Sequence, residues 1–473
     1  MVFSSNLFLL YFLPVFLLVY YLLPRFLKNP FVLLASILFY AWGAPELIFI
    51  VLGGILADFY IVRFIPSFQG LKKRLLTGLS VVLNIGLLAW FKYANFFIDN
   101  INELISSLGY STIHWTAVAL PIGISFFTFQ KITYTIDVYR NVHAPLKRVT
   151  DYAMYILMFP QLIAGPIVRF NEIADQITDR KEHEKMEYRY SGFFRFVIGL
   201  AKKVLIANVL GQEVDRIFAI HPGLLDSGQA WIGILAYAFQ IYYDFAGYSD
   251  MAIGLGMMIG FKFPENFNNP YISESITEFW RRWHMTLGRF MRDYLYIPLG
   301  GNRVRPARLY FNLWVVFAIS GLWHGAAWNF VIWGIFHGCF LVMDRLFLLK
   351  IYKKIGKYPS VFITFVVTCV GWVLFRAESL SYAWDYIKTM FSFQFTYLPV
   401  GMDRKFFIIM ALGAIFAFMA LIKGNESWQE RVLEPKFTRT ALGWRMAFAF
   451  IFFAICIGSI TSSGFNPFIY FRF

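Results

Sequence analysis

Long apolar runs dominate the chain. They recur at about 6–24, 30–44, 46–63, 76–94 and 115–136, then 191–215, 228–248, 309–323, 326–344, 358–376, 406–422 and 446–464. Each is close to the ~20 residues that a helix needs to cross the hydrocarbon core of a bilayer. The pattern predicts an all-α polytopic membrane protein with about a dozen transmembrane or re-entrant helices. The first run is followed by Pro24-Arg-Phe-Leu-Lys28 rather than by a small-residue cleavage site, so it reads as a retained span and not a signal peptide.

Two stretches break the rhythm. Residues 151–175 mix apolar and polar positions and contain Phe159-Pro-Gln-Leu-Ile-Ala-Gly-Pro166, and residues 262–308 carry many charges and aromatics. Irregular backbone at membrane depth needs protein or water around it. Both stretches are therefore expected as amphipathic or re-entrant segments buried in protein. No soluble domain, internal repeat, low-complexity tract or flexible linker interrupts the pattern, and residues 1–473 read as a single membrane domain.

Composition sharpens this picture. Hydrophobic residues make up 59% of the chain and charged ones only 15%, with mean hydropathy +0.58, where a soluble protein carries about 25% charged residues. The net charge of +15 would suggest nucleic acid in a soluble protein. In a chain this apolar it belongs to basic cytoplasmic loops near anionic lipid, and no nucleic-acid motif is present.

The basic residues also orient the chain. Arg25 and Lys28 follow the first run, Lys72, Lys73 and Arg74 the third, and Arg140, Lys147 and Arg148 the fifth, whereas 94–114 and 217–230 hold no Lys or Arg. The positive-inside rule then places the N-terminus outside. It places 281–308, 345–357 and 423–445 inside, and the 377–405 loop and the tail from Ser463 outside. Cys339, Cys369 and Cys456 all lie in apolar runs and form no CxxC pair, so they read as small buried hydrophobes.

Two histidines stand where a titratable group is costly, which makes each a candidate functional residue. His324 lies in Ser320-Gly-Leu-Trp-His-Gly-Ala-Ala-Trp-Asn329. Gly321, Gly325, Ala326 and Ala327 are small and let helices approach closely. On a continuous helix His324 stacks with Gly321 and Trp328, in a narrow slot that favours the neutral, proton-accepting imidazole. A histidine satisfied by a neighbouring helix is the plainer alternative.

His284 closes the run Phe279-Trp-Arg-Arg-Trp-His284. On a helix it shares a face with Arg281, Gly288 and Met291, while Arg282 and Arg289 point away, toward headgroups or a phosphorylated ligand. A basic interfacial helix with one structural histidine fits equally well. His337 falls on the face opposite His324 if that helix is continuous, and is expected to be structural. Tyr248 and Asp250, in Tyr242-Tyr-Asp-Phe-Ala-Gly-Tyr-Ser-Asp250, are candidates for hydrogen bonding near the pocket. HExxH and HxxEH spacings are absent, which disfavours a metal site. So are the GxSxG elbow and the Walker loop, which disfavours a serine nucleophile and an ATP-driven pump.

Several segments taken in order resemble the membrane-bound O-acyltransferase (MBOAT) family, and within it the bacterial branch that serves alginate O-acetylation. They are Met1 to Pro14, Leu120-Pro-Ile-Gly-Ile-Ser-Phe-Phe-Thr-Phe-Gln130, Phe159 to Arg169, Tyr242 to Gly256, Phe279 to Arg303, Ser320 to Asn329 and the aromatic C-terminus. The two family histidine positions fall on His284 and His324.

The resemblance implies a ring of tilted helices around a membrane-spanning tunnel, in the bacterial inner membrane. It implies His324 as catalytic base and His284 as its polar partner. It further implies an acyl group taken from a cytoplasmic donor, acetyl-CoA, and passed outward with no permanently bound cofactor or metal. The acceptor would be an extracytoplasmic SGNH-type partner that acetylates a polysaccharide such as alginate, cellulose or peptidoglycan.

Acyl transfer needs a base for the acceptor hydroxyl and donors for the oxyanion. His324 suits the first task. His284, Trp323 or Asn329 are candidates for the second. Arg281, Arg282, Arg289 and Arg292 are candidates for the CoA phosphates, with lipid headgroup contact as the alternative. Three other functions remain open at this point: D-alanyl transfer to teichoic acid from a carrier protein, a proton-coupled transporter or flippase using the histidines as relays, and a non-catalytic scaffold.

Overall fold

A computed structural model describes residues 2–395, 402–435, 438–465 and 467–469. The described residues form helices, turns and loops, with no strand among them. Among the described residues, seven helices are long and apolar enough to cross a membrane. Many large apolar side chains on them point outward, among them Phe49, Phe362 and Trp444. A soluble protein would bury such a surface, and lipid covers it without cost.

Most predicted runs are helical. Differences fall where polarity or glycine intervenes. The span expected over 115–136 begins only at Ile124, where Gly123 (φ 78°) turns the chain, and residues 110–121 have no regular structure. The loop expected at 94–114 instead holds the helix Ala94–Ser107, continuous through a π-turn with Gly70–Leu88. The loop expected at 377–405 contains the helix Leu380–Met390. Part of that loop (396–401) and part of the tail (466 and 470–473) lie outside the described residues.

Contacts divide the chain into two compact units. The first comprises Leu7–Glu184 with Ile259–Phe263. Phe159 is its aromatic hub, with ring centres 5.0–6.2 Å from Phe8, Phe12, Phe16 and Phe39. As expected for a segment wrapped in protein, residues 152–168 are buried throughout.

The second unit comprises Val2–Asn6, Lys185–Met258 and Pro264–Phe473. Its axis is the 32-residue helix Ser227–Met258, buried on all sides from Ala236 onward. This helix packs antiparallel on Met186–Ala201 through two glycine pairs. A Cβ on Gly192 would lie 2.7 Å from the Gly254 carbonyl, and one on Gly247 would lie 2.7 Å from the Gly199 carbonyl. Only hydrogen fits at either crossing, which is the small-residue rule for helices that meet in a membrane.

Candidate active site

His324 is the last residue of the helix Pro306–His324, and the next helix, Trp328–Met343, starts after a three-residue turn. The two form a tight hairpin in which a Cβ on Gly334 would lie 3.2 Å from the Gly321 Cα. The Phe330 ring occupies the space where a Gly325 side chain would stand. The continuous helix expected through 320–337 is thus broken, and three readings change with it. Trp328 is exposed. Trp333 packs on His324 edge-on at 5.1 Å. His337 is not segregated from His324, because both imidazoles pack on Trp333, each at 5.1 Å.

Ile241, Phe245, Trp283, His324, Trp333, Trp372, Phe375 and Ile469 enclose a cavity of about 20 Å³. His324 is the one titratable side chain in this lining. The Trp333 indole nitrogen is buried without a hydrogen-bond partner. A donor left unmatched in an apolar interior costs about 1–3 kcal/mol, so this N–H is open to an acceptor on a water or a ligand.

Ile469 reaches this cavity through a buried ion pair. Lys203 bonds Asp244 at 2.6 Å and also the Pro467 carbonyl, and the other Asp244 oxygen accepts the Ile469 amide at 2.8 Å. Residues 467–469, a C-terminal strap, are therefore held through backbone groups, in addition to the Phe468 ring stacked on Tyr248 at 4.5 Å.

His284 does not lie on a helix face. The helix Ile276–Arg282 starts at a Ser275 cap that accepts the Glu278 amide, and it ends before Trp283. His284 then adopts φ 45°, ψ 52°, and the next helix begins at Met285. A left-handed conformation at a non-glycine residue costs of order 1–3 kcal/mol and persists only where neighbours hold it. Here residues 266–268 hold it. The Met285 amide donates to the Asn266 carbonyl and the Asn268 amide to the Arg282 carbonyl, both at 2.9 Å.

The same Asn266 sets the chemistry of the imidazole. Its side-chain oxygen accepts from the Thr286 hydroxyl at 2.8 Å and the Thr286 amide at 3.4 Å, while its nitrogen donates to Ser249 Oγ at 3.0 Å. An oxygen thus faces His284 Nδ1 at 3.0 Å. Nδ1 must carry the proton, and Nε2, which has no partner, presents a bare lone pair. Burial pushes this imidazole, which lies outside the seven apolar spans, down to about 3, so it stays neutral. His284 is therefore an acceptor and does not suit the expected role of oxyanion donor. Asn266 was not recognised in the sequence, since the signal, an Asn eighteen residues upstream, has no fixed spacing.

The structure brings the two histidines to one neighbourhood. Trp323 lies between them, with ring centres 6.1 Å from His284 and 4.9 Å from His324. Phe245 lines the His324 cavity and meets His284 edge-on at 4.8 Å.

Other candidates serve elsewhere. Asn329 donates to the Ala377 carbonyl at 2.5 Å. Asp250 is neutralised by Arg195 (2.8 Å) and Lys202 (2.7 Å), and Arg195 also bonds Glu265 (2.6 Å). Tyr248 stacks between Phe3 and Phe468 at 4.6 and 4.5 Å. Neither Tyr248 nor Asp250 lines the cavity. Arg282 is tied to Glu278 and the Asn268 carbonyl. Arg281, Arg282 and Lys353 line a separate open cavity of about 600 Å³. Arg289 is half-buried, and Arg292 pairs with its neighbour Asp293. Cys339 is exposed rather than buried.

The sequence model of the MBOAT, membrane-bound O-acyltransferase family, matches residues 76–375, which include both histidines. The chain belongs to this family and is an O-acyltransferase of the membrane. It is 45% identical to a probable alginate O-acetylase of Pseudomonas aeruginosa, over 83% of this chain and 75% of that one. It is 40% identical to a probable alginate O-acetylase of Azotobacter vinelandii over the full length of both. Identity to a peptidoglycan O-acetyltransferase of Helicobacter pylori is also 40%, over 82% and 80%. A teichoic acid D-alanyltransferase of Bacillus subtilis is more distant, at 29% over 54% of this chain and 69% of that one.

Proposed function

We propose that this protein is an inner-membrane O-acetyltransferase. In this reading it takes acetyl groups from cytoplasmic acetyl-CoA and passes them to an extracytoplasmic acceptor, an SGNH-type partner, for O-acetylation of a polysaccharide. Relatives named for acetyl transfer match most of the chain, and the relative named for D-alanyl transfer matches about half. The observation that carries the chemistry is the small, largely aromatic cavity with one imidazole in its wall.

His324 removes the proton from the acceptor hydroxyl as its oxygen attacks the thioester carbonyl carbon. The unmatched Trp333 indole N–H donates to the oxyanion that forms. The C–S bond then breaks, and the leaving thiolate takes the proton from His324 as free CoA thiol. Surrounding rings exclude the water that would hydrolyse the thioester. His284 Nε2, held bare by Asn266, orients a hydroxyl donor beside Trp323. Arg281, Arg282 and Lys353, on segments the basic-residue pattern places inside, bind the CoA phosphates.

The test uses proteoliposomes with labelled acetyl-CoA supplied only at the face bearing residues 281–308, and the partner at the other. Label appearing on the partner without a solute gradient is expected. Label confined to the donor side, with a carrier-bound D-alanyl thioester accepted instead, would overturn the proposal.

A further inference from the structure

We infer that the aromatic cage around His324 gauges the acyl group at two carbons, and that Trp333, Trp372 and Phe375 set the gauge. The inference rests on the acyl-transfer reading of His324. The free space beside that imidazole is about 20 Å³, room for one water-sized or methyl-sized group. The other two cavities described, of about 790 and 600 Å³, are open and lined by charged side chains.

What makes the small cavity a gauge is that three of its ring walls are braced from behind. Phe375 stands 5.4 Å from His324 and is backed by Phe330 and Trp333, both at 5.0 Å. Trp372 is wedged between Trp283 at 4.8 Å and Phe375 at 5.5 Å. Trp333 is backed by His337 at 5.1 Å and Trp280 at 5.5 Å. Trp333 and Trp372 are each 1% exposed. Interlocked rings resist an added methylene, because making room for it forces side chains off their rotamers.

The methyl of an acetyl group fills the space, and the next carbon of a propionyl group meets a ring. An apolar pocket separates substrates that differ by one methylene by about 10- to 200-fold. His337, which sequence alone marks as a structural histidine, acts here as a positioning residue behind Trp333.

The experiment compares acetyl-, propionyl- and butyryl-CoA with the protein in nanodiscs, reading CoA thiol release per folded molecule. Wild type, Phe375→Leu, Trp372→Phe, Ile241→Val and His324→Ala are run together. Wild type is expected to favour acetyl over propionyl by about tenfold or more, and Phe375→Leu to shift the propionyl-to-acetyl ratio upward by a similar factor. Ile241→Val enlarges the same space without removing a ring, so the test survives misfolding of a ring variant. Thioether analogues of the three donors, scored by thermal stabilisation, give the ordering without turnover. An unchanged ratio in every folded cage variant, with His324→Ala inactive, would overturn the gauge alone. Full activity of His324→Ala would instead overturn the reading of the site.

Discussion

Two buried clusters, one in each unit, treat their polar groups differently. In the first, Asp58 accepts from Ser80 at 2.5 Å, from Asn84 at 2.8 Å and from the Tyr152 hydroxyl, and Ser80 bonds Thr135 at 2.7 Å. Both carboxylate oxygens are matched by donors from two other helices. In the second, His284 Nε2, the Trp333 indole nitrogen and His337 Nδ1 are buried with no partner. Matched polar groups hold a fold together, whereas unmatched ones are a standing cost that a substrate can relieve. On the proposed reading, the contrast assigns chemistry to the His284–Trp333 cluster and scaffolding to the Asp58 cluster.

Substitutions can break this contrast. The largest effect is expected at His324, where alanine should lower acetyl transfer by about 10²- to 10⁴-fold, the usual worth of a positioned base, with thermal stability kept. Asp58→Ala should show the reverse. It strands buried donors worth about 1–3 kcal/mol each, so the melting temperature in detergent should fall steeply while activity per folded molecule is retained. Reduced activity with an unchanged melting temperature would move Asp58 into the mechanism.

Next comes Asn266→Ala, which frees the His284 tautomer and should cost about tenfold in turnover, equivalent to about 1.4 kcal/mol. Asn266→Asp keeps an acceptor and should recover part of it. That variant also sharpens the pH argument. With its pKa lowered to about 3 by burial, wild-type His284 stays neutral above that value and contributes no acid limb at pH 5–7. A carboxylate at 266 stabilises the imidazolium and raises the pKa, so activity should begin to fall at higher pH as the medium is acidified. An unshifted profile would separate His284 from the reaction. The smallest effect is expected from Arg281→Ala with Lys353→Ala, which should raise KM for acetyl-CoA several-fold and leave kcat alone, as loss of uniform binding does.

Much of the fold was legible because apolar length is what a bilayer demands. The runs at 30–44, 46–63 and 358–376 became the helices Arg25–Gly43, Leu47–Phe64 and Lys357–Arg376. Both histidines stood out because a titratable group in such surroundings needs a reason. Their geometry did not. Helical periodicity assumes an unbroken helix, yet the chain turns at Gly325–Ala327 and reverses its backbone at His284. Both breaks are imposed from a distance, by the Phe330 ring and by hydrogen bonds from 266–268. Asn266, Trp333 and the Asp244-anchored strap were hidden for the same reason, since tertiary contacts created their roles.

The most direct test of the account is a single-turnover measurement of acetyl loss from acetyl-CoA by wild type and His324→Ala in nanodiscs, with the extracytoplasmic acceptor present. Equal melting temperatures must be confirmed first. The account predicts rapid transfer by wild type and a rate near the uncatalysed background for the variant. Equal rates in the two folded proteins would contradict it.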